Sequence, residues 1–240
     1  MVFEAADELL ARVDAGDAFV VSQFYDGADI LELRNRVFAR GQTTPPSWHP
    51  LVDGCPDYHR LHDNYPQAHV RSKMHGFYHH GFHPANDGLF AAFGEIFAIK
   101  NHLAGAPHDR HLRAVPSSGT VARVNLQHYP RGGGYIAEHR DPAAEYARVQ
   151  TLIQASRPGV DFTTGGLFAC AGDGAAPFAI DPLTEPGDLI VMSPAIRHGV
   201  APIHPDEPYA WTENSGKWTV IPIILASDMA AGPVERPRPV

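Results

Sequence analysis

Between residues 123 and 129 the chain alternates: Arg123, Asn125, Gln127 and Tyr129 share one face, and Val124 and Leu126 lie on the other. A period of two over that length predicts a half-buried strand. Residues 130–134 form a glycine-rich turn that leads into a second strand ending at His139-Arg140-Asp141. Residues 150–154, a glycine-broken stretch at 161–168, an apolar run at 188–192 after Pro186-Gly187, and residues 218–225 read as further strands. The first 118 residues are patterned differently. Residues 3–13 show helical spacing, residues 18–24 read as a strand, and residues 28–39 read as an amphipathic helix with Ile30, Leu31, Leu33, Val37 and Phe38 inward. Residues 41–66 read as loop. Residues 86–103 predict the longest helix, with Leu89, Phe90, Phe93, Ile96, Phe97 and Ile99 on its packing face. No internal repeat and no separating linker appears, so residues 1–240 are expected to form one domain, with 1–118 as support and substrate-side loops and 119–227 as core.

Composition narrows the function classes. The formal net charge of −8 lacks the basic footprint of a nucleic-acid binder, which leaves a small molecule as the expected partner. Cys55 and Cys170 are too few for a disulfide framework and suit a reducing compartment. Glu4, Asp7 and Glu8 at the N-terminus argue against a secretory signal, and no apolar run is long enough to span a membrane, so the expected location is cytoplasmic. Oligomeric state is open.

The chemistry is carried by His139-x-Asp141 and a downstream His198. Residues i and i+2 of an extended segment face the same side, so His139 and Asp141 converge while Arg140 turns away. A second imidazole completes a two-histidine, one-carboxylate face that leaves the opposite face of an octahedral ion open. His-x-Asp alone is weak in a chain with 15 histidines. A denser group, His69, His75, His79, His80 and His83, has spacings of four, but Gly76, Gly81 and Pro84 oppose a helix there. Exposed or hydrogen-bonded histidines are expected from it rather than a second metal.

The order Tyr129-x-x-Gly132, His139-x-Asp141, Gly165-Gly166-Leu167, Pro186-Gly187-Asp188, His198-Gly199-Val200 and a basic residue opening the last strand resembles the Fe(II)/2-oxoglutarate-dependent dioxygenases, particularly their prolyl-hydroxylase-like branch. The resemblance covers roughly residues 119–227. It implies a mainly β fold, a double-stranded β-helix or jelly-roll core with helices packed on one side. It further implies Fe(II) held by His139, Asp141 and His198, with 2-oxoglutarate and O2 as co-substrates and succinate and CO2 as products of a C–H hydroxylation. Lys217 and Thr219, two apart on the final strand, are expected to grip the far carboxylate of 2-oxoglutarate.

Lys217 lies farther from His198 than the family's spacing, because residues 204–216 read as an inserted loop that closes over the site, with Trp211 as lid aromatic or as local packing. Arg123 competes for the anchoring role if the face it shares with Asn125, Gln127 and Tyr129 is the inner one; Tyr129 then donates its hydroxyl to the co-substrate. Two rival readings stay open: a cupin-type triad metalloenzyme without 2-oxoglutarate, and a non-catalytic jelly-roll binding module. An amino acid, an amine or a small biosynthetic intermediate is the expected substrate.

Overall fold

In a computed structural model, which describes residues 6–66, 68, 70–172 and 174–230, the alternating segment is β4 (Thr120–Pro130). Its Val124 and Leu126 are fully buried in a cluster with Phe93, Ile96 and Phe97, so that face packs on helices. Arg123, Asn125, Gln127 and Tyr129 therefore point the other way, into an internal cavity. Apolar burial chooses the direction, because exposing either aliphatic side chain costs on the order of 1.5–3 kcal/mol.

The other elements are α1 (Ala6–Asp14), β1 (Phe19–Val21), α2 (Gly27–Thr43), β2 (Tyr58–Asp63), β3 (Ser72–His80), α3 (Asp87–Ala92), α4 (Gly94–Leu103), β5 (Gly134–His139), β6 (Gln150–Gln154), β7 (Gly166–Cys170), β8 (Pro177–Ala179), β9 (Leu189–Met192), β10 (Arg197–Ile203) and β11 (Gly216–Ala226). The strands form one antiparallel sheet in the order β1-β9-β6-β11-β4-β3-β5-β10-β7-β8, with β2 added on β3. The pairing of β3 with β5 is the fold line: residues of β3, β4, β6 and β11 face residues of β5, β7 and β10 across a shared cavity. This is a double-stranded β-helix. Met74, Leu152, Leu167, Ile190, Met192, Val200 and Ile221 form a second apolar cluster between its walls, while the larger cluster joins the outer face of β4 and β11 to α4.

Three expectations need correction. Residues 41–66 are not all loop: α2 runs to Thr43, and β2 adds a strand at the sheet margin. Residues 86–103 do not form one helix, because Phe93 leaves the helical region at φ −100°, ψ 12° and separates α3 from α4; α2, with 17 residues, is longer than either. Of residues 161–168 only the end from Gly166 is strand. Within the histidine-dense stretch, His75, His79 and His80 lie on β3 and are buried, because β3 is flanked by β2, β4 and β5; the hydrogen-bonded alternative holds for His75, beside His59, and for His80, beside Asp57. His69 and Phe3 lie outside the described residues. The first 118 residues thus supply three strands of the sheet as well as the helices.

The inserted segment 204–216 does not cover the cavity. Gln42 of α2 donates to the Trp211 carbonyl, Asn214 donates to Asn35, and the Trp211 ring meets the edge of His75 on the outer face of β3. None of its residues lines the cavity.

Candidate metal centre

His139 closes β5 and His198 stands beside it near the start of β10; the two are direct cross-strand partners, with ring centroids 4.4 Å apart. Strand pairing alone sets this contact. Asp141 lies beyond the end of β5, and its backbone N–H donates to the Pro194 carbonyl at 2.8 Å, which turns the carboxylate back toward the imidazoles. Asp141 Oδ1 then lies 3.5 Å from His139 Nε2, and Oδ2 lies 3.5 Å from His198 Nε2.

The tautomers follow from hydrogen bonding. Nδ1 of His139 lies 2.8 Å from the Ala137 carbonyl, and Nδ1 of His198 lies 3.0 Å from the Ile196 carbonyl. A carbonyl only accepts, so each Nδ1 carries a proton and each ring is left with Nε2, turned toward the carboxylate, as the nitrogen that would bind a metal. Gln150 donates to Asp141 Oδ2 at 2.6 Å and fixes its rotation. Burial would raise the Asp141 carboxyl, but the two imidazoles outweigh it and hold it well below the usual range. Burial likewise would lower His198, and Asp141 reverses the sign. A first-row metal with bonds of about 2.1 Å fits between these three donors after a small contraction.

A cavity of about 650 Å³ opens from this face. That size is within the range of small-molecule sites. Arg123, Asn125, Gln127, Tyr129 and Thr219 line it; Lys217 does not. Tyr129 donates its hydroxyl to Gln127 Oε1 at 2.7 Å, and Arg123 donates through Nε to Asn125 at 2.7 Å while its guanidinium lies 4.8 Å from the Tyr78 ring centre. Lys217 is fully buried below the wall. Its ammonium donates to Asp181 Oδ1 at 2.6 Å and to Gln154 Oε1 at 3.3 Å. Asp181 is itself saturated, accepting also from Gln154 Nε2 at 2.7 Å and from the Leu167 N–H at 2.5 Å. Gly166, at φ 114°, makes room for that carboxylate, because a Cβ there would meet Asp181 Oδ2.

Sequence reasoning missed Gln150, Asp181, Arg60, His62, Tyr65, Tyr78 and Trp48. Arg60 and His62 stand at alternate positions of β2, and both line the cavity; that period-two signal lies inside a segment that otherwise reads as loop. Nothing in the sequence pairs Asp181 with Lys217.

Asp57, His80 and His83 also cluster, with Asp57 Oδ1 3.1 Å from His80 Nδ1 and 3.9 Å from His83 Nε2. They behave as a hydrogen-bonded group: His83 Nε2 donates to the Cys55 carbonyl at 2.8 Å, and Asn86 donates to Asp57 Oδ2 at 2.7 Å. Burial raises the Asp57 carboxyl, but donors from His79, His80 and Asn86 outweigh it and leave it far below the usual range.

No protein-family model and no curated protein matches the sequence. Solved structures do match in shape. A prolyl-4-hydroxylase from Pseudomonas putida is 14% identical with a TM-score of 0.54, over 97% of this chain and 100% of that one. A Neurospora crassa protein solved at full length in complex with alpha-KG and thymine is 11% identical with a TM-score of 0.58, over 94% and 80%. EctD from S. alaskensis with bound Fe is 10% identical with a TM-score of 0.56, again over 94% and 80%. The chain therefore shares the double-stranded β-helix fold of these structures, and in it two histidines and one carboxylate of this chain meet at the head of a cavity.

Proposed function

We propose that the protein is an Fe(II)- and 2-oxoglutarate-dependent oxygenase that hydroxylates an unactivated C–H bond of a small molecule, with release of succinate and CO2. The observation that carries this reading is the His139, Asp141 and His198 face, with both imidazoles pinned in the metal-binding tautomer, opening onto a cavity of about 650 Å³. When bound, iron supplies the activation of O2 and the cleavage of the C–H bond.

The chain's own residues bind and orient. His139, His198 and Asp141 hold the metal on one side, and Gln150 keeps the carboxylate from rotating away. Of the two cations named from the sequence, Arg123 faces the cavity and Lys217 is already balanced by Asp181. We therefore assign the far carboxylate of 2-oxoglutarate to Arg123, with Tyr129, Asn125 and Thr219 as neutral partners along the wall. Leu152, Leu167, Val200 and Ile221 keep the remaining surface dry, which strengthens these polar contacts. The Neurospora crassa protein, whose structure holds thymine, is an example of this fold with a small molecule; a second neighbour, the Trichoplax adhaerens prolyl hydroxylase, holds a peptide fragment. A cavity of about 650 Å³ in this chain favours the small molecule.

Anaerobic addition of Fe(II) and then 2-oxoglutarate tests metal and co-substrate together without knowledge of the substrate. The expected result is a visible charge-transfer band that needs both additions. Metal binding without a 2-oxoglutarate-dependent band supports the cupin-type alternative, and failure to bind Fe(II) at all supports a non-catalytic binding module.

A further inference from the structure

The cavity is charged against the trend of the molecule. The chain has a formal net charge of −8, yet Arg60 and Arg123 both line the cavity, and Asp141 is its sole carboxylate among the described residues. Neither arginine has an ion pair among those residues. On the reading proposed above, a divalent metal held by one carboxylate and met by a dicarboxylate carries one net negative charge. One arginine balances it, and the other is left over.

Register distinguishes the two. Arg123 pairs across with Ile223 of β11, and β11 lies beside β6 with Thr219 opposite Gln154, which brings Gln150 and its partner Asp141 to the same level as Arg123. Arg60 sits on β2, at the margin of the sheet, with only β3 as a neighbouring strand. Its guanidinium carbon lies 4.5 Å from the centre of the Tyr65 ring, and Trp48, 60% exposed, also lines the cavity. Stacking holds the planar group by its face and leaves its N–H edge for a bidentate anion. The adjacent His62 offers no competing charge: burial and Arg60 push it down to about 4, and its Nε2 lies 2.7 Å from the Tyr78 hydroxyl.

We infer that Arg60 receives a carboxylate of the substrate to be oxidised, with the rest of that molecule lying between Trp48, Tyr65 and Tyr78 on one side and the metal face on the other. The substrate class is thus an organic acid with an apolar body, and Arg60 is the residue that selects it. This rests on the oxygenase reading and refines its substrate. A zwitterionic amino acid bound through its carboxylate satisfies it, whereas a simple amine does not.

The test uses protein loaded anaerobically with Fe(II) and 2-oxoglutarate. 3-Phenylpropionate and N-acetylphenylalanine are titrated beside their amides to millimolar concentration, and the charge-transfer band and tryptophan emission are followed. The acids are expected to bind roughly tenfold or more tightly than the amides, as befits a charge-assisted pair. Arg60→Gln should erase that preference and Arg60→Lys restore part of it, with the band itself reporting an intact metal centre in each variant. Equal binding of acids and amides, no binding of either, or an acid preference that survives in Arg60→Gln overturns the assignment. A wild-type protein that never develops the band refutes the underlying oxygenase reading instead.

Discussion

Lys217 is the residue on which the sequence and the structure part most sharply, and replacing it with methionine distinguishes a structural ion pair from a co-substrate anchor. The Lys217 and Asp181 side chains are 1% and 2% exposed and 2.6 Å apart. Removing one partner of a buried pair typically costs about 3–5 kcal/mol, because the other charge is stranded. Lys217→Met should fall at the low end, about 3 kcal/mol, since Asp181 keeps its donors from Gln154 and the Leu167 backbone. Asp181→Ala should fall at the high end, about 5 kcal/mol, because Lys217 keeps only Gln154 Oε1 and the Leu167 N–H loses its acceptor. For a chain of this length each kcal/mol moves Tm by roughly 2–4 °C, so the two variants should melt roughly 6–12 °C and 10–20 °C lower. The double variant should lose less than the sum of the singles, since coupling within a contacting pair reaches about 3 kcal/mol. Thermal unfolding followed by circular dichroism measures stability, and 2-oxoglutarate titration of the charge-transfer band measures anchoring. A Lys217→Met protein as stable as wild type, but needing roughly thirtyfold more 2-oxoglutarate, would refute the reasoning and return the anchor to β11.

Three further outcomes are expected. Arg123→Ala should raise the 2-oxoglutarate requirement roughly thirtyfold or more, from a loss of about 2 kcal/mol or greater, with Fe(II) affinity little changed; titration of the band would expose a silent variant. His139→Ala, Asp141→Ala and His198→Ala should each abolish Fe(II)-dependent succinate formation with far-ultraviolet circular dichroism unaltered, and near wild-type turnover in any of them would remove that residue from the metal face. Lys100, buried on α4 with its ammonium donating to the Val149 carbonyl at 2.8 Å, is lowered by burial to about 7. Its unfolded value is near 10.4, so the unfolded chain binds the extra proton between the two, and stability rises with pH across that window by up to about 1.4 kcal/mol per pH unit. The denaturant midpoint of wild type should therefore rise relative to that of Lys100→Met as pH rises from 7 to 9, and a constant difference would contradict the low value.

The sequence determined the elements whose signals are local. Alternation along residues 123–129 marks β4 as a strand by its period of two, and the short stretches at 150–154 and 188–192, too short for helices and the second set off by Pro186-Gly187, mark β6 and β9. It also supplied the donor types of the candidate metal face and their order. Tertiary structure alone decided which face of β4 is inner, since Val124 and Leu126 acquire a direction only when α4 covers them. It decided that the His-rich segment is a buried central strand, because neighbours on both sides outweigh the polarity of its histidines. Asp141 turns toward the imidazoles through the Pro194 carbonyl, far along the chain, rather than through strand periodicity. Asp181 pairs with Lys217 across 36 residues of sequence. Local periodicity encodes secondary structure and donor chemistry, whereas the partner of a buried charge is set by which distant strands the fold brings side by side.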